Sequence, residues 1–385
     1  MQSSSEISLP GITNGLRKQN TIFAGVDAGN GWTKGVVAIL RNNRYQVIEV
    51  CIPSIVGAGR IETNPFLASN EGIQEKLLQL TSGDGLPFTV AMDMSVDANE
   101  MNALPTGGDV YQSSIARGAL VHAVLVKALT SVDANLGGQE ITCYLAGTTM
   151  ASNYWMDNGL LKNPQRIAEV ATAIGSPFST SNQYPIINMA ARTEGFGETL
   201  AAMLSVTINE NGDNSGEYAD GSKIAFIDVG HKDTVILVAE IKNGLPNIIK
   251  RQSIVMGIGS GVLEVVANHV SNVTKKTVPA GLSLLSRPSV KHRGRTIDLL
   301  PFQKEAMDGL SQQVLGYISK AIGRGDDFDA TYLVGGFPQV AIKLFGPGYF
   351  TNYGQIHNLQ VPDLPIYANA RGVLRGLIKR IINKR

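Results

Sequence analysis

Two stretches of this chain repeat one residue pattern at a fixed distance. Residues 23–34 read FAGVDAGNGWTK and residues 224–234 read IAFIDVGHKDT, with matching positions 201 residues apart and no gap. In each stretch an apolar run ends in an Asp (Asp27, Asp228), a Gly follows two positions later and a Thr six positions later. Ordinary turns have no reason to match at several offsets. The repeat therefore predicts two halves built on one plan, which face the same ligand.

Each copy continues with two further apolar runs. These runs are Val36–Leu40 and Tyr45–Ile48 in the first copy, and Val235–Ala239 and Asn247–Ile249 in the second. Asn42 and Asn243, each fifteen positions after its Asp, mark the turns between the runs. Runs rich in Val and Ile, separated by such turns, predict three antiparallel strands joined by tight hairpins. Asp27 and Asp228 then lie where the first strand of each copy ends.

The turn after each Asp has the residues that phosphate binding requires. Gly29, Gly31 and Gly230 allow unusual backbone dihedrals and a close approach, so that successive N–H groups converge on phosphate oxygens. The carboxylates would bind a hydrated Mg²⁺ ion, which keeps several of its waters. Only the first copy has a Lys after its Thr, Lys34, where the second has Val235. We therefore expect the first loop to bind more of the phosphate charge.

Composition limits the partners that this chain can have. The formal net charge is +1, which argues against direct electrostatic binding to nucleic acid. The two cysteines, Cys51 and Cys143, lie in apolar runs, as is typical of buried free thiols in a reducing cytoplasm. No apolar signal core precedes the repeat, and the apolar stretch Gly118–Leu129 is short for a membrane span. We expect a cytoplasmic protein that reaches DNA only through an adaptor.

At 385 residues the chain exceeds the ~250 to 300 at which one core usually divides, so two domains are expected. Strands alternate with helices after each opening meander, which indicates an α/β fold. We expect a flexible N-terminal arm over residues 1–20 and a first domain over 21–192, with an insertion at about 53–110. A second domain is expected over 193–366, and a C-terminal helix over 367–385 is expected to return to the first.

Glu194 lies in the segment that links the two halves, Arg192–Glu198. A carboxylate there could orient or deprotonate a water for attack on a terminal phosphate. The same residue could instead complement the positive end of a helix predicted over Gly195–Thr207. The sequence leaves both interpretations open, and Glu198 is expected on the surface.

Two further glycine-rich turns follow the second repeat. Met256–Gly261 precedes a predicted helix but lacks the spacing of a dinucleotide fingerprint, because Val262 stands where its last Gly should be. Gly259 and Ser260 could hold a nucleotide, or the turn could only allow close helix packing. Near the end of the chain, the predicted strand from Ala330 stops at Gly335 and Gly336, a pair whose backbone could lie flat against a planar ring.

Two basic segments remain. Ala370–Arg385 combines an apolar stripe with six Lys or Arg and no acid. Such a helix could lie on an anionic membrane, but we expect it to dock on the protein with its basic face in solvent, and we expect no membrane binding. The run Lys291–Arg295 is expected to be a solvent loop.

Taken together, the motifs resemble those of the actin-like ATPases. Asp27–Lys34 is similar to their first phosphate motif, Asp228–Thr234 to the second and Leu333–Phe337 to the adenosine motif. Glu194–Gly197 and Ala368–Gly372 resemble the two connecting motifs. Five motifs in this order span nearly the whole chain. The residue sequences of Asp27–Lys34 and Ala368–Gly372 are most similar to those of the ParM type, the plasmid-segregating bacterial actins, and of their archaeal relatives.

The resemblance implies two ribonuclease-H-like domains around a central nucleotide cleft. It implies that Asp27 and Asp228 manage Mg²⁺ through water, with Asp228 also catalytic, and that Glu194 positions the attacking water. One departure concerns Glu194, since Thr193 stands where the family usually has Pro. The implied nucleotide contacts are Asp27, Gly29, Asn30, Gly31, Trp32, Thr33, Lys34, Gly230, His231, Thr234, Gly259, Ser260, Gly335, Gly336 and Phe337.

The resemblance also implies a function: Mg²⁺-dependent ATP hydrolysis coupled to filament assembly, serving plasmid or DNA segregation through a DNA-binding adaptor. The sequence leaves ATP or GTP preference open. An alternative is a scaffold filament for cell shape or organelle positioning. A small-molecule kinase of the same fold is a weaker alternative, because the chain offers no separate acid for an acceptor site.

Overall fold

The computed structural model of the protein describes residues 3–7, 20–41, 44–60, 76–96, 104, 114–150, 154–156, 160–190, 193–354 and 356–383. Its strands are β1 Ser3–Ile7, β2 Thr21–Ala28, β3 Trp32–Arg41, β4 Arg44–Pro53, β5 Val56–Ala58, β6 Leu77–Ser82, β7 Pro87–Ala91, β8 Glu140–Thr149, β9 Phe178–Ser179, β10 Ile186–Met189, β11 Glu194–Gly197, β12 Lys223–Val229, β13 Thr234–Lys242, β14 Leu245–Ile254, β15 Ser289–His292, β16 Arg295–Asp298, β17 Ala330–Val334 and β18 Leu359–Gln360. Its α-helices are α1 Ile115–Val132, α2 Pro164–Ile174, α3 Leu200–Thr207, α4 Glu264–Thr274, α5 Ser283–Ser286, α6 Leu300–Ile322, α7 Gly336–Phe345 and α8 Ala368–Asn383.

The chain forms two compact units. Unit 1 contains Met1–Ala219, Lys242–Pro246 and Tyr367–Arg385, and unit 2 contains Asp220–Ile241 and Asn247–Ile366. The first unit therefore continues to Ala219, beyond the boundary at residue 192 that we expected. The reason is that β11 pairs with β8 and α3 packs against α8, both within unit 1.

A seven-stranded sheet forms the centre of unit 1. Its order is β1-β4-β3-β2-β8-β10, and β11 also pairs with β8. The strands β2, β3 and β4 are antiparallel, as the apolar runs predict, and β8 lies parallel to β2. The end of β2, where Asp27 lies, is therefore held between β3 and β8.

Residues 3–7, near the start of the chain, form a strand. Ser3–Ile7 forms β1, which pairs antiparallel with β4 from Ser3 opposite Glu49 to Ile7 opposite Tyr45. A flexible arm over residues 1–20 is therefore wrong for this stretch, because its backbone is paired with a sheet edge. The rest of the predicted arm, up to residue 19, lies outside the described residues.

Helix α1 is the core helix of unit 1. It is long and apolar enough to cross a membrane, but 72% of its apolar window is buried inside the protein. Its residues Leu120, Val124 and Leu125 are completely buried and belong to the same core cluster as β2, β4 and β8. Burial in this core explains the apolar composition of the helix.

The predicted insertion is a small sheet in the part that the structure describes. Strands β5, β7, β6 and β9 form a four-stranded sheet in that order. Phe88 of β7 packs edge-on against Phe178 of β9, with ring centroids 6.1 Å apart. Residues 61–75, 97–103 and 105–113 of this region lie outside the described residues.

The C-terminal helix α8 docks in unit 1. It passes so close to β2 at Gly25 that an added Cβ would collide with the backbone of Ala370 and Leu374. Val373, Leu374 and Leu377 are buried, Val373 completely. Several of its basic side chains are paired within the unit. The pairs are Arg371 with Glu49, Arg375 with Glu210 and the Ser205 and Ile208 carbonyls, Lys379 with Asn214 and the Gly212 carbonyl, and Arg380 with Glu194. The helix is a docked element, as we expected.

Unit 2 repeats the opening of unit 1. Its main sheet has the order β14-β13-β12-β17-β18, with β12 antiparallel to β13 and parallel to β17. Asp228 lies opposite Val235 in the β12–β13 pair, and Asp27 lies opposite Lys34 in the β2–β3 pair. These two registers differ by the same 201 positions as the sequence repeat. The repeat is therefore a repeat of structure.

Candidate functional site

The Asp at the end of β2 is the centre of a buried polar cluster in unit 1. Lys34 Nζ lies 2.7 Å from Asp27 Oδ2, and the Thr148 hydroxyl donates to Asp27 Oδ1 at 2.7 Å. The carboxylate is only 3% exposed. Arg117, fully buried at the start of α1, donates to the Thr148 carbonyl at 2.7 Å. The strands β2, β3 and β8 and helix α1 thus each contribute one polar group.

The charge of Lys34 is stabilised in this position. Burial alone would lower the pKa of its ammonium, but the Asp27 carboxylate raises this pKa by Coulomb attraction and a hydrogen bond. Cys51 and the Glu198 carboxylate also raise it, and together these groups outweigh burial. The net shift is upward, so Lys34 remains a cation throughout the physiological pH range.

The turn after Asp27 is held by Ser54, a residue that the sequence analysis did not single out. The Ser54 hydroxyl donates to the Gly29 carbonyl at 2.6 Å, and its backbone N–H donates to the Gly31 carbonyl at 2.9 Å. The fully buried Thr33 hydroxyl lies 2.9 Å from the Ser54 hydroxyl. Thr33 therefore supports the turn through Ser54 from the buried side. The half-buried Gly29 and Asn30 form the accessible part of the turn.

Gly29, at the first position of this turn, leaves little room for a side chain. A Cβ on Gly29 would come within 3.1 Å of Lys34 Nζ and 3.2 Å of the Trp32 carbonyl oxygen. The Gly29 N–H already donates to that carbonyl at 3.1 Å. The absent side chain leaves the ammonium of Lys34 close to the backbone, which is the arrangement that a phosphate-binding turn needs.

Glu194 is not placed as the resemblance implies. It lies on β11 opposite Ala146 of β8, and its Oε2 accepts from Arg380 of α8 at 2.5 Å. Its carboxylate also borders a groove of about 920 Å³ between α2 and the edge of the sheet, within unit 1. It does not start a helix either, because α3 begins six residues later at Leu200. A strand replaces the first residues of the predicted helix because β8 offers a parallel edge.

A second carboxylate near Lys34, after Asp27, is that of Glu198, which we expected on the surface and which raises the pKa of Lys34 by a smaller Coulomb contribution. It is half-buried, and its backbone N–H donates to the Thr149 carbonyl at 2.9 Å. The next residue, Thr199, has φ +64° and donates its N–H to the buried Asn369 Oδ1 at 2.9 Å. Thus Glu198 is fixed beside the Asp27–Lys34 cluster by β8 on one side and by α8 on the other. The position of Glu198 beside this cluster follows from the parallel pairing of β11 with β8, which the sequence did not predict.

In unit 2 the corresponding Asp lies against a glycine of another strand end. Asp228 is 8% exposed, and a Cβ on Gly335, after β17, would collide with its carboxylate and lie 2.6 Å from the Val229 carbonyl oxygen. Gly335 also has φ +101°, which side chains rarely adopt. The first glycine of the predicted adenosine motif is therefore required to let β17 end beside Asp228.

The loop after Asp228 packs against the other glycine-rich turn of unit 2. The Gly259 N–H donates to the His231 carbonyl at 2.7 Å, and a Cβ on Gly257 would lie 2.6 Å from the same oxygen. The fully buried Thr234 hydroxyl donates to the Met256 carbonyl at 2.7 Å. Gly259 and Thr234 therefore use their donors inside the protein, in agreement with the close-packing alternative. Ser260 is exposed.

Phe337 belongs to the core of unit 2. Its side chain has no exposed surface, and its ring packs edge-on against Phe350, with centroids 5.9 Å apart. A ring so enclosed does not border a ligand, which corrects the adenine contact implied for it. Gly336 begins helix α7, so it and Gly335 are the members of the motif at the strand end.

The donor set fits a hydrated cation better than a directly bound one. Within the described ranges, no three His, Cys, Asp or Glu side chains come together as a metal site. Both oxygens of Asp27 are already engaged by Lys34 and Thr148. A Mg²⁺ ion that keeps most of its waters needs only outer contacts to such carboxylates.

Comparison with known proteins shows which folds this architecture resembles. Residues 226–340 match the family model described as the archaeal actin homologue MreB-like protein, C-terminal domain. A search of curated protein sequences finds no significant relative. Among solved structures, the ParM of a 15-stranded filament from Clostridium botulinum is similar with a TM-score of 0.66 at 17% identity, over 95% of this chain and 100% of that chain.

The chain has the actin fold. An archaeal actin homologue, Ta0583, solved in complex with ADP, matches with a TM-score of 0.62 at 16% identity, over 93% of this chain and 99% of that chain. The apo psk41 ParM protein matches with a TM-score of 0.61 at 15% identity, over 95% and 99%. The predicted α/β actin fold and the resemblance to ParM-type and archaeal actins are therefore confirmed at the level of the fold.

Proposed function

We propose that this protein binds ATP with Mg²⁺, hydrolyses it and assembles into filaments, and that the filaments segregate plasmid or other DNA through a DNA-binding adaptor. The observation that carries the proposal is the matched placement of Asp27 and Asp228, each at the same register of a β-meander in its own actin-fold unit. A turn that only reverses the chain does not need an Asp at the same register in both units.

Named relatives support each half of the proposal. The archaeal homologue was solved with ADP, and the Clostridium botulinum ParM was solved as a filament. The accessible groups of the first turn, Gly29 and Asn30, with Lys34 beneath them, would bind phosphate oxygens. Asp27 and Asp228 would hold water ligands of Mg²⁺. The magnesium ion would supply charge neutralisation on the phosphates.

We assign the orientation of the attacking water to Glu198 and not to Glu194. Glu198 is, besides Asp27, a carboxylate whose charge raises the pKa of Lys34, whereas Glu194 is ion-paired with Arg380. A general base must reach the phosphate-binding groups, and a carboxylate engaged by an arginine is a weaker base.

The two glutamates provide a matched pair of variants. Glu198→Gln and Glu194→Gln each remove one negative charge from the same segment. We expect Glu198→Gln to lower the rate of phosphate release by about a hundredfold with nucleotide affinity kept, and Glu194→Gln to change it little. Phosphate release and binding of a fluorescent ATP analogue measure the two quantities. A slow Glu194→Gln beside a normal Glu198→Gln would reverse the assignment.

Assembly is tested by sedimentation and electron microscopy of the wild-type protein with Mg²⁺ and either ATP or GTP. We expect pelletable filaments with nucleotide and soluble protein without it. Protein that stays in the supernatant at micromolar concentration with both nucleotides would remove the filament part of the proposal. Plasmid loss on deletion, and capture of an adaptor from the same plasmid, would distinguish segregation from a scaffold role.

A further inference from the structure

A separate hairpin of unit 2 carries a concentrated positive charge. Strands β15 and β16 pair only with each other in the described part of the chain, with His292 opposite Arg295. At its turn Arg293 has φ +48° and Gly294 has φ +75°, and nothing lies within 4 Å of a Cβ placed on Gly294. This turn therefore stands in open space. We call the exposed cations Lys291, Arg293 and Arg295 the basic tip.

The cations of the basic tip are not neutralised by a paired acid among the residues that the structure describes. Within the described ranges, none of its three cations forms an ion pair or a side-chain hydrogen bond. Asp298, at the base of the hairpin, accepts from the Leu300 N–H at 3.0 Å and lies opposite Ser289, at the far end of the strands from the turn. Three like charges held together without an acid favour an anionic partner.

An acidic loop lies at the other end of the helix that follows the hairpin. Helix α6 begins at Leu300, directly after β16, and its 23 residues span about 34 Å. Beyond its end the exposed carboxylates Asp326 and Asp327 follow one another, and we call them the acidic loop. The half-exposed His357 lies close to this loop, with its Nε2 3.1 Å from Asp326 Oδ1, and the exposed Arg324 precedes Asp326 by two residues. One rigid helix thus separates the two opposite charges.

We propose that the basic tip of one copy binds the acidic loop of a second copy, head to tail. The proposal rests on the proposed filament assembly and names a contact that guides it. Two patches of opposite charge on different parts of one unit can form a heterologous interface, which repeats from copy to copy without closing on itself. The charge complementarity selects a second copy of this chain over nucleic acid, because the chain itself supplies the anion.

Individual exposed ion pairs contribute little, so the expected effect is moderate. The contact contains several charges in one place, and each added subunit forms it again. Reversing one side replaces attraction by repulsion, and we expect the critical concentration for assembly to rise about tenfold. The effect should shrink above about 0.5 M salt, where the Debye length falls to a few ångströms.

Charge reversal on each side gives two complementary variants. The tip variant is Arg293→Glu/Arg295→Glu, and the loop variant is Asp326→Arg/Asp327→Arg. Each variant alone should assemble poorly, because its tip and loop then have the same sign. An equimolar mixture should assemble at nearly the wild-type concentration, since every contact then joins opposite charges. The chain with both reversals should also assemble alone.

A control reverses two exposed lysines elsewhere on unit 2, Lys275→Glu/Lys276→Glu, which changes net charge equally and should assemble normally. All variants should bind the fluorescent ATP analogue as the wild-type protein does. Normal assembly of the tip variant, or failure of the mixture to recover it, would overturn the contact. A tip variant that loses DNA retention in a gel shift while it assembles normally would instead assign the hairpin to nucleic acid.

Failure of the proposed function gives a different result. Wild-type protein that does not pellet with ATP would refute filament assembly, and the two variants still test the contact. Sedimentation velocity of the tip variant mixed with the loop variant, without nucleotide and at low salt, should then show a hetero-complex that neither variant forms alone. Its absence would overturn the contact as well.

Discussion

A buried histidine in the core of unit 1 should make this unit sensitive to acid. His122 lies on α1 with no exposed surface, and its ring packs against Phe178 at 5.7 Å between centroids. Among the described residues neither of its ring nitrogens has a hydrogen-bond partner. Burial lowers the pKa of His122 from 6.5 to about 4. The folded protein therefore holds this imidazole neutral, while the unfolded chain protonates it at its ordinary pKa.

The sign and size of the effect follow from proton linkage. Well above pH 6.5 the imidazole is neutral in both states and contributes no pH dependence. As the pH falls through 6.5 towards 4, mainly the unfolded chain gains the proton, so the free energy of unfolding decreases. The decrease is about 2 kcal/mol between pH 7 and pH 5, and about 3 kcal/mol once both states are protonated below pH 4.

The assay compares the wild-type protein with His122→Leu, a residue of similar volume that does not titrate. Both tryptophans, Trp32 and Trp155, belong to unit 1, so their fluorescence during urea unfolding reports this unit selectively. We expect the free energy of unfolding of the wild-type protein to fall by about 2 kcal/mol more than that of the variant between pH 7 and pH 5. His292→Gln, on the hairpin of unit 2, is the control and should follow the wild-type protein. Equal pH dependence of wild type and His122→Leu would refute the reasoning.

Two further predictions concern the candidate site. Lys34→Met leaves Asp27 as a buried charge without its main partner and should lower the free energy of unfolding of unit 1 by about 3–5 kcal/mol. Adding Asp27→Asn in a double variant should restore most of this loss. Tryptophan fluorescence during urea unfolding measures both variants, and no recovery in the double variant would contradict the pairing. Gly335→Ala should destabilise unit 2 by more than ~1 kcal/mol, because Gly335 has a positive φ and an added Cβ would collide with Asp228. Gly309→Ala on α6 is the control and should be neutral or stabilising, because a Cβ at Gly309 meets nothing within 4 Å. Thermal unfolding by circular dichroism compares the two, and a lower melting temperature only for Gly309→Ala would be the contrary result.

The sequence by itself determined the repeat and therefore the architecture around it. The shared Asp, Gly and Thr offsets, with the Val- and Ile-rich runs between turn residues, predicted both β-meanders and placed Asp27 and Asp228 at strand ends. Local periodicity is enough here because hairpin strands are neighbours along the chain. Lys34 was also identified from sequence, since it directly follows the repeated Thr and lies opposite Asp27 across a tight turn.

Only the tertiary structure decided which glutamate accompanies that pair. Glu194 and Glu198 are four residues apart, and the chain between them is a short strand instead of the predicted helix, because β8, from a distant part of the sequence, offers it a parallel edge. The same long-range packing places Ser54 under the first turn and buries Phe337 in the core. Such positions depend on which strand edges and side chains meet across the sequence, and no local pattern records them.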